Sequence, residues 1–263
     1  MDAIRVERHE GLVEVTLDRP ARKNAIDRAT WAALDRVFTD VAKDPQARAL
    51  VIGGAGGNFS AGADLSGDGA GEGLAGGPLQ PIVQEMRIIG EIVMRLHRMT
   101  KPTVAKVDGV AVGVGLGLAL ACDLIVASDR ARFCSIFAKR GLALDGGTSW
   151  LLPRRVGLAK AKEMALFAEM VGAAEAEAIG LVNKVVPPDQ LDAVAGEWAR
   201  RLASGPTLAL GLSKKLLDAS WTSTFEQAVE DEARCQHVTY TSADVTEGIT
   251  AFLERREPRF QGR

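Results

Sequence analysis

The chain has 263 residues, 32 basic against 34 acidic side chains, a net charge of −2, and 47% hydrophobic and 25% charged residues. That balance excludes a disordered chain, and it gives neither a nucleic acid nor an anionic membrane a basic face to bind. Three cysteines without a CxxC pair and three scattered histidines suggest neither a disulfide framework nor a metal centre.

The opening MDAIRVERHE lacks the apolar run of a signal peptide, so the expectation is a cytoplasmic protein. Ile4, Val6 and Arg8, a turn at Gly11, then Val13, Val15 and Leu17 at period two predict a hairpin closed by Arg19-Pro20. Asp27 caps a helix along Trp31, Leu34, Val37 and Val41, and Asp44-Pro45 stops it. Ala49–Ile52 reads as a short buried strand entering the turn GGAGGNFSAGADL. Residues 66–81 contain six glycines and read as a mobile loop. A helix over Ile82–Met99 ends at Lys101-Pro102, and Thr103–Val107 is a strand. Gly109–Gly117 reads as a turn feeding a helix to Cys122. The whole apolar run Gly109–Cys122 is 14 residues, short of the ~20 that cross a bilayer.

Leu124–Ala127 and Arg132–Ser135 are further short strands. After Pro153 the pattern turns helical, over Leu158–Ala168, Ala173–Ile179, Leu191–Ala203, Thr207–Ala219, Phe225–His237 and Ala243–Arg255. Strand, glycine turn and helix repeat, which predicts an α/β architecture with its glycine turns grouped on one side.

Two of those turns carry chemistry. Ser60-Ala61-Gly62-Ala63-Asp64-Leu65 follows a strand, and the glycine run 109–117, with Gly113, Val114 and Gly115 at its centre, precedes a helix. Small residues let a ligand approach the backbone, and two amides converging on one oxygen make an oxyanion hole. The alternative is that both are tight turns in a packed core. Neither stretch matches a dinucleotide or phosphate-loop fingerprint.

These segments, with LDRPARKNAID, KPTVAKVDGVAVGVGLGLALACDLIVAS, RFCSIFAKRGLALDGGTSWLLPRRVG, EAEAIGLVNKVVPPDQL and SADVTEGITAFLERREPRF, resemble the enoyl-CoA hydratase/isomerase (crotonase) superfamily in order and spacing through nearly the whole chain. The resemblance implies a spiral of ββα turns over residues 1–204. It also implies a helical assembly region over 205–263 that packs in trimers, often paired into hexamers. The ligand it implies is an acyl-CoA thioester, with coenzyme A as part of the substrate and no separate cofactor or metal. The implied oxyanion donors are the backbone amides of Ala63 and Val114. The family usually has Gly at position 114, and a requirement for positive φ there would argue against Val.

The departures narrow the chemistry. Hydratases of this family use two glutamates, which fall at Gly117 and Phe137 here, and neither replacement moves a proton. One acid stands in a suggestive place, Asp145 in GLALDGGTSW, where dienoyl-CoA isomerases, epoxyphenylacetyl-CoA isomerases and chlorobenzoyl-CoA dehalogenases carry a working aspartate. The stretch looks most like the epoxyphenylacetyl-CoA branch. Asp145 before Gly-Gly is also an ordinary turn residue, and Asp64 and Asp123 read as carboxylates that hold loops. Arg22 and Lys23 lie where the family contacts the nucleotide end, while Phe252, Arg255 and Arg256 stand where the last helix reaches a neighbouring subunit's ligand. For each of these the alternative is a solvated side chain. Ala61, Gly62, Asp64, Leu65, Gly113 and Phe137 complete the expected substrate surface, and loop 66–81 is expected to close over the acyl chain. The leading expectation is an acyl-CoA isomerase with Asp145 as acid and base. The alternatives are an enoyl-CoA hydratase of fatty-acid β-oxidation and a non-catalytic acyl-CoA binder.

Overall fold

The computed structural model describes residues 3–66 and 79–262. Strands β1 (Ile4–His9) and β2 (Leu12–Leu17) form the expected hairpin, with His9 facing Leu12. Glu10 and Gly11 both have positive φ, 48° and 84°, which matches the right-handed twist of the flanking strands. Val13, Val15 and Leu17 are buried, whereas Val6 is exposed because β1 is the edge of its sheet.

Helix α1 (Arg28–Lys43) starts where Asp27 accepts the Thr30 amide at 2.8 Å, and it buries Trp31, Leu34, Phe38 and Val41. Then follow β3 (Ala49–Gly54), α2 (Leu79–His97), β4 (Thr103–Val107), β5 (Val110–Val112), α3 (Val114–Leu120), β6 (Leu124–Ser128) and β7 (Arg132–Cys134). The chain continues through α4 (Thr148–Phe167), β8 (Val171–Gly172), α5 (Ala173–Ala178), β9 (Lys184–Val186), α6 (Leu191–Ser204), α7 (Thr207–Ala219), α8 (Phe225–Tyr240) and α9 (Ala243–Glu254).

Two sheets organise these elements. One has the order β1-β2-β3-β4-β6-β9, parallel throughout except for the first pair, and the other has the order β5-β7-β8. From β4 onward the chain steps between them, β4 to β5, β6 to β7, β8 to β9, so each turn of a spiral adds a strand to both. Alternate strand residues face opposite layers. Leu50 and Ile52 join Leu34, Phe38, Leu96, Leu116, Ile125 and Phe133 in the main core. Val51, Val104 and Val126 pack instead on Leu191, Ala195 and Ala199 of α6. Each fully buried aliphatic side chain contributes about 1.5–3 kcal/mol relative to exposure.

Several expectations need correction. Gly109–Gly117 is not one turn, because Val110–Val112 pairs with β7 as a strand. Three residues bracketed by glycine are too few to display a period. The helix expected from Leu158 is preceded by an unexpected one that starts at Thr148 and contains Pro153, and α4 spans both. Proline there removes only one bond, toward the carbonyl of Ser149 near the helix start. The backbone breaks instead at Gly157, with φ 76° and ψ 160°. β8 and β9 interrupt the stretch expected to be helical. Residues 79–81 belong to α2 rather than to loop 66–81, and residues 67–78 of that loop lie outside the described residues.

Residues 205–262 are fastened to the rest of the chain. Lys214 pairs with Asp123 at 2.8 Å, and the Arg48 guanidinium donates to the carbonyls of Gly205 and Phe260 at 2.5 and 3.1 Å. Leu217, Phe225, Phe252 and Leu253 on α7–α9, and Trp221 between α7 and α8, are each more than 60% exposed. Among the described residues no helix is long and apolar enough to cross a membrane.

Candidate active site

Two backbone segments run side by side between the sheets. Phe59 donates to the Asp108 carbonyl at 2.7 Å and Ser60 to the Val110 carbonyl at 2.8 Å, while Val112 donates to the Ser60 carbonyl at 3.0 Å. Ser60 and Ala111 are therefore parallel partners. Beyond that bridge both segments turn at positive-φ glycines, Gly62 and Gly113, just before Ala63 and Val114. Gly62 fits the same arrangement, since a Cβ built on it would lie 2.7 Å from the Val112 carbonyl oxygen and 3.9 Å from Gly113 Cα.

On its other side, Ala63 is bridged to Ile26. Ile26 donates to the Gly62 carbonyl at 2.7 Å, and Asp64 donates to the Ile26 carbonyl at 3.0 Å. In a parallel bridge those bonds use the flanking residues, so the Ala63 amide points away from Ile26. It has no partner among the described residues.

Val114 is the first residue of α3, where an amide has no acceptor within the helix. Gly113 donates to the Cys134 carbonyl at 2.9 Å, and Gly117 closes the first helical bond to the Gly113 carbonyl at 3.1 Å. The Val114 amide has no partner among the described residues. Gly113 takes the conformation closed to other residues, φ 55° and ψ −124°, while Val114 is not among the positive-φ residues. A β-branched residue therefore fits at 114 without strain.

Asp145 arrives by a different route. After β7 a single tight helical turn, Ile136–Arg140, leads to Gly141, and Gly146 and Gly147 then reverse the chain with φ 58° and 75°. The start of α4 is bonded by the main chain of Asp145, whose carbonyl accepts the Thr148 amide at 3.2 Å and hydroxyl at 2.7 Å. The carboxylate does not cap the helix; it accepts the amide of Gly146. Asp145 is half-buried, and that burial pushes its pKa above the ordinary carboxylate value, partly offset by the Gly146 bond. The turn packs directly on α3, since a Cβ built on Gly146 would lie 3.2 Å from Val114 Cγ1. A Cβ on Gly117 would collide with the Gly146 carbonyl oxygen. The turn that carries Asp145 and the turn that carries Ala63 thus both pack at the start of α3, where the unpartnered Val114 amide lies.

The remaining expected residues divide between this centre and its surroundings. Phe137 is almost fully buried, and its ring reaches 4.0 Å from the Cβ position of Gly113. Asp64 accepts the Ser66 hydroxyl at 2.7 Å, the Arg19 guanidinium at 2.8 Å and the Ser66 amide at 3.1 Å, and these bonds lower its pKa to about 2. Arg22 donates to the Ser66 hydroxyl, which joins it to the same network. Lys23 is exposed and left-handed; its carbonyl, not its ammonium, holds the turn by accepting the Ala61 amide at 2.9 Å. Ala61 is half-buried, and Leu65 stands exposed. Phe252 is on α9 and Arg255 just beyond it, both exposed, and among the described residues neither has a hydrogen bond or ion pair to the two turns.

Asp123 accepts the Thr103 amide and hydroxyl at 2.7 and 2.9 Å beside Lys214. The buried Cys134 thiol is directed at the Ala168 carbonyl, 3.2 Å away. Among the described residues, no three His, Cys, Asp or Glu gather where they could hold a metal ion.

Sequence reasoning missed the supports beneath the donors. Ser60 is fully buried, accepts the Gly62 amide at 3.2 Å and donates to the Asn24 carbonyl at 2.8 Å. Asn24 in turn donates to the carbonyls of Ala55 and Asn58 at 2.9 and 2.7 Å. Their signal was small polar residues embedded in apolar motifs, LDRPARKNAID and GGNFSAGADL.

Comparison with known proteins identifies the family. A profile described as "Enoyl-CoA hydratase/isomerase" matches residues 7–263. A protein of Rhodobacter capsulatus named "Probable enoyl-CoA hydratase" is 40% identical, over 99% of this chain and 98% of its own. The 1,2-epoxyphenylacetyl-CoA isomerase of Escherichia coli is 36% identical, over 97% of this chain and 96% of its own. An enoyl-CoA hydratase crystal structure from Polaromonas sp. JS666 superposes with a TM-score of 0.91 at 30% identity, covering 98% of this chain and 99% of that one. The mixed α/β spiral is the crotonase fold, and the chain belongs to the enoyl-CoA hydratase/isomerase family, whose members process acyl-CoA thioesters.

Proposed function

We propose that this family member shifts a double bond in an enoyl-CoA, with Asp145 moving the proton. One observation carries the reading: Asp145 is a half-buried carboxyl with a raised pKa, on a turn packed against Val114. In the proposed step the thioester oxygen lies between the Ala63 and Val114 amides. Asp145 takes a proton from C2 of a 3-enoyl-CoA, the C3–C4 electron pair is drawn into conjugation, and the enolate charge rests on the oxygen. The same carboxyl returns the proton at C4, leaving the 2-enoyl-CoA with no water consumed. Binding oxygen and base in one frame pre-orders the reacting atoms.

A hydratase is the second reading, favoured by the name of the 40% identical Rhodobacter capsulatus relative. The residues at the two hydratase positions, Gly117 and Phe137, weigh against it. Arg22 and Lys23 are proposed to meet the nucleotide end, Phe252 and Arg255 a neighbouring subunit's ligand, and the exposed apolar residues of α7–α9 to pack in a trimer or hexamer. The cytoplasmic location remains part of the proposal.

Mass spectrometry of 2-enoyl- and 3-enoyl-CoA thioesters incubated with the protein in heavy water tests this reading. Positional isomerisation with deuterium uptake at C2 and C4, and no gain of a whole water, is expected. Net water addition reverses the order of the two readings. Binding without turnover across the panel makes the protein an acyl-CoA binder and overturns both.

A further inference from the structure

Helix α3 presents its two inner glycines to different parts of the site. A Cβ on Gly115 would lie 2.8 Å from Cβ, Oγ and the carbonyl oxygen of Ser60, which anchors the Ala63 turn. A Cβ on Gly117 would collide with the Gly146 carbonyl and lie 3.3 Å from the carbonyl carbon and 3.4 Å from Thr148 Cγ2. Neither glycine has positive φ, so conformational freedom does not explain either of them. What they share is the absence of a side chain where another backbone presses in.

We infer that α3 is the spacer that fixes the distance from the oxygen-binding amides to Asp145, with Gly117 the positioning residue for the base and Gly115 the one for the donor strand. The inference rests on the proposed role of Asp145. On the base side, Val114 flanks the Gly146 backbone and Gly117 lies beneath its carbonyl. The amide of the same Gly146 is the group that bonds the Asp145 carboxylate. A methyl at 117 must push the Gly146–Gly147 peptide outward, and Gly146 with its amide along with it, because the atom it meets is backbone and cannot rotate away. Misplacing a reacting group by about 1 Å costs about 100-fold in rate.

The test compares Gly117→Ala and Gly115→Ala with the unaltered protein. Three quantities are read: deuterium exchange into the thioester that the unaltered protein turns over fastest, calorimetric affinity for butyryl-CoA, and the pH dependence of kcat. Gly117→Ala is expected to lower kcat about 100-fold with butyryl-CoA affinity within about threefold, and to move the acid limb of the kcat profile. Gly115→Ala is expected to weaken butyryl-CoA binding. Equal losses in kcat and affinity for Gly117→Ala would mean that α3 itself moves, and would overturn the assignment, as would two silent variants. An inactive Asp145→Asn with a fully active Gly117→Ala sinks this inference alone, whereas an active Asp145→Asn sinks the proposed function beneath it.

Discussion

Asp64 and Asp145 both sit beside glycine turns, and their surroundings drive them in opposite directions. Asp64 gains the Ser66 hydroxyl, Arg19 and the Ser66 amide, and its pKa falls to about 2. The stability it contributes is complete above the ordinary carboxylate value and is lost as pH falls through about 2. Asp64→Asn is expected to lower unfolding free energy at pH 7 by about 1.5–3 kcal/mol, the range for hydrogen bonds to a charged group. Urea titrations across pH should show the gap to the unaltered protein closing as Asp64 itself takes up a proton. Asp145 is shifted upward by burial, so the folded chain holds its proton to higher pH than the unfolded chain, and its ionisation costs stability as pH rises. Asp145→Asn is therefore expected to leave stability at pH 7 unchanged or improved. kcat/KM should rise with pH through a midpoint above the ordinary aspartate value, as a base that must ionise requires. The sequence distinguished these two aspartates only through resemblance. What separates them physically is the Ser66 hydroxyl two residues on from Asp64, joined by Arg19 from 45 positions away, against burial at Asp145; neither the Arg19 partner nor the burial is reported by a local pattern.

Elements whose signals are local were legible. The Asp27 cap of α1, accepting Thr30 as its position predicted, is one; Asp27→Ala is expected to cost about 1 kcal/mol, read as a lowered melting temperature. The hairpin is another, because period two survives over six residues in β2. β5 and β8 escaped notice because strands of three and two residues carry no period; both are defined by pairing, β5 with β7 and Ser60, β8 with β7. Pro153 misled for a related reason. Its cost depends on where in a helix it falls, and the helix start at Thr148 is set by the carbonyl of Asp145, not by a capping side chain. The element that makes the site, α3, was expected, yet the burden of its small residues was not. The sequence shows Gly115 and Gly117 as glycine but not which backbone presses on each.

At the scale of the molecule, the spiral brings together groups from distant parts of the chain: Ala63 after β3, Val114 after β5 and Asp145 before α4. The Ser60–Ala111 bridge brings the segment before Ala63 alongside the segment before Val114. The exposed Leu217, Trp221, Phe225, Phe252 and Leu253 leave an apolar surface on α7–α9 and the link between α7 and α8. Light scattering is expected to find the full chain as a trimer or hexamer. A chain lacking 205–263 should be monomeric or aggregating, and a clean trimer from it would remove those helices from the assembly.

In the proposed mechanism one carboxyl moves the proton while two backbone amides hold the oxygen. The most direct test compares the unaltered protein with Asp145→Asn for deuterium exchange into the enoyl-CoA and, in parallel, for thioester affinity. Exchange reduced at least ~100-fold with affinity nearly unchanged is the predicted result, because the amides remain and the base is gone. Exchange that persists in Asp145→Asn would contradict the account and require another group to carry the proton.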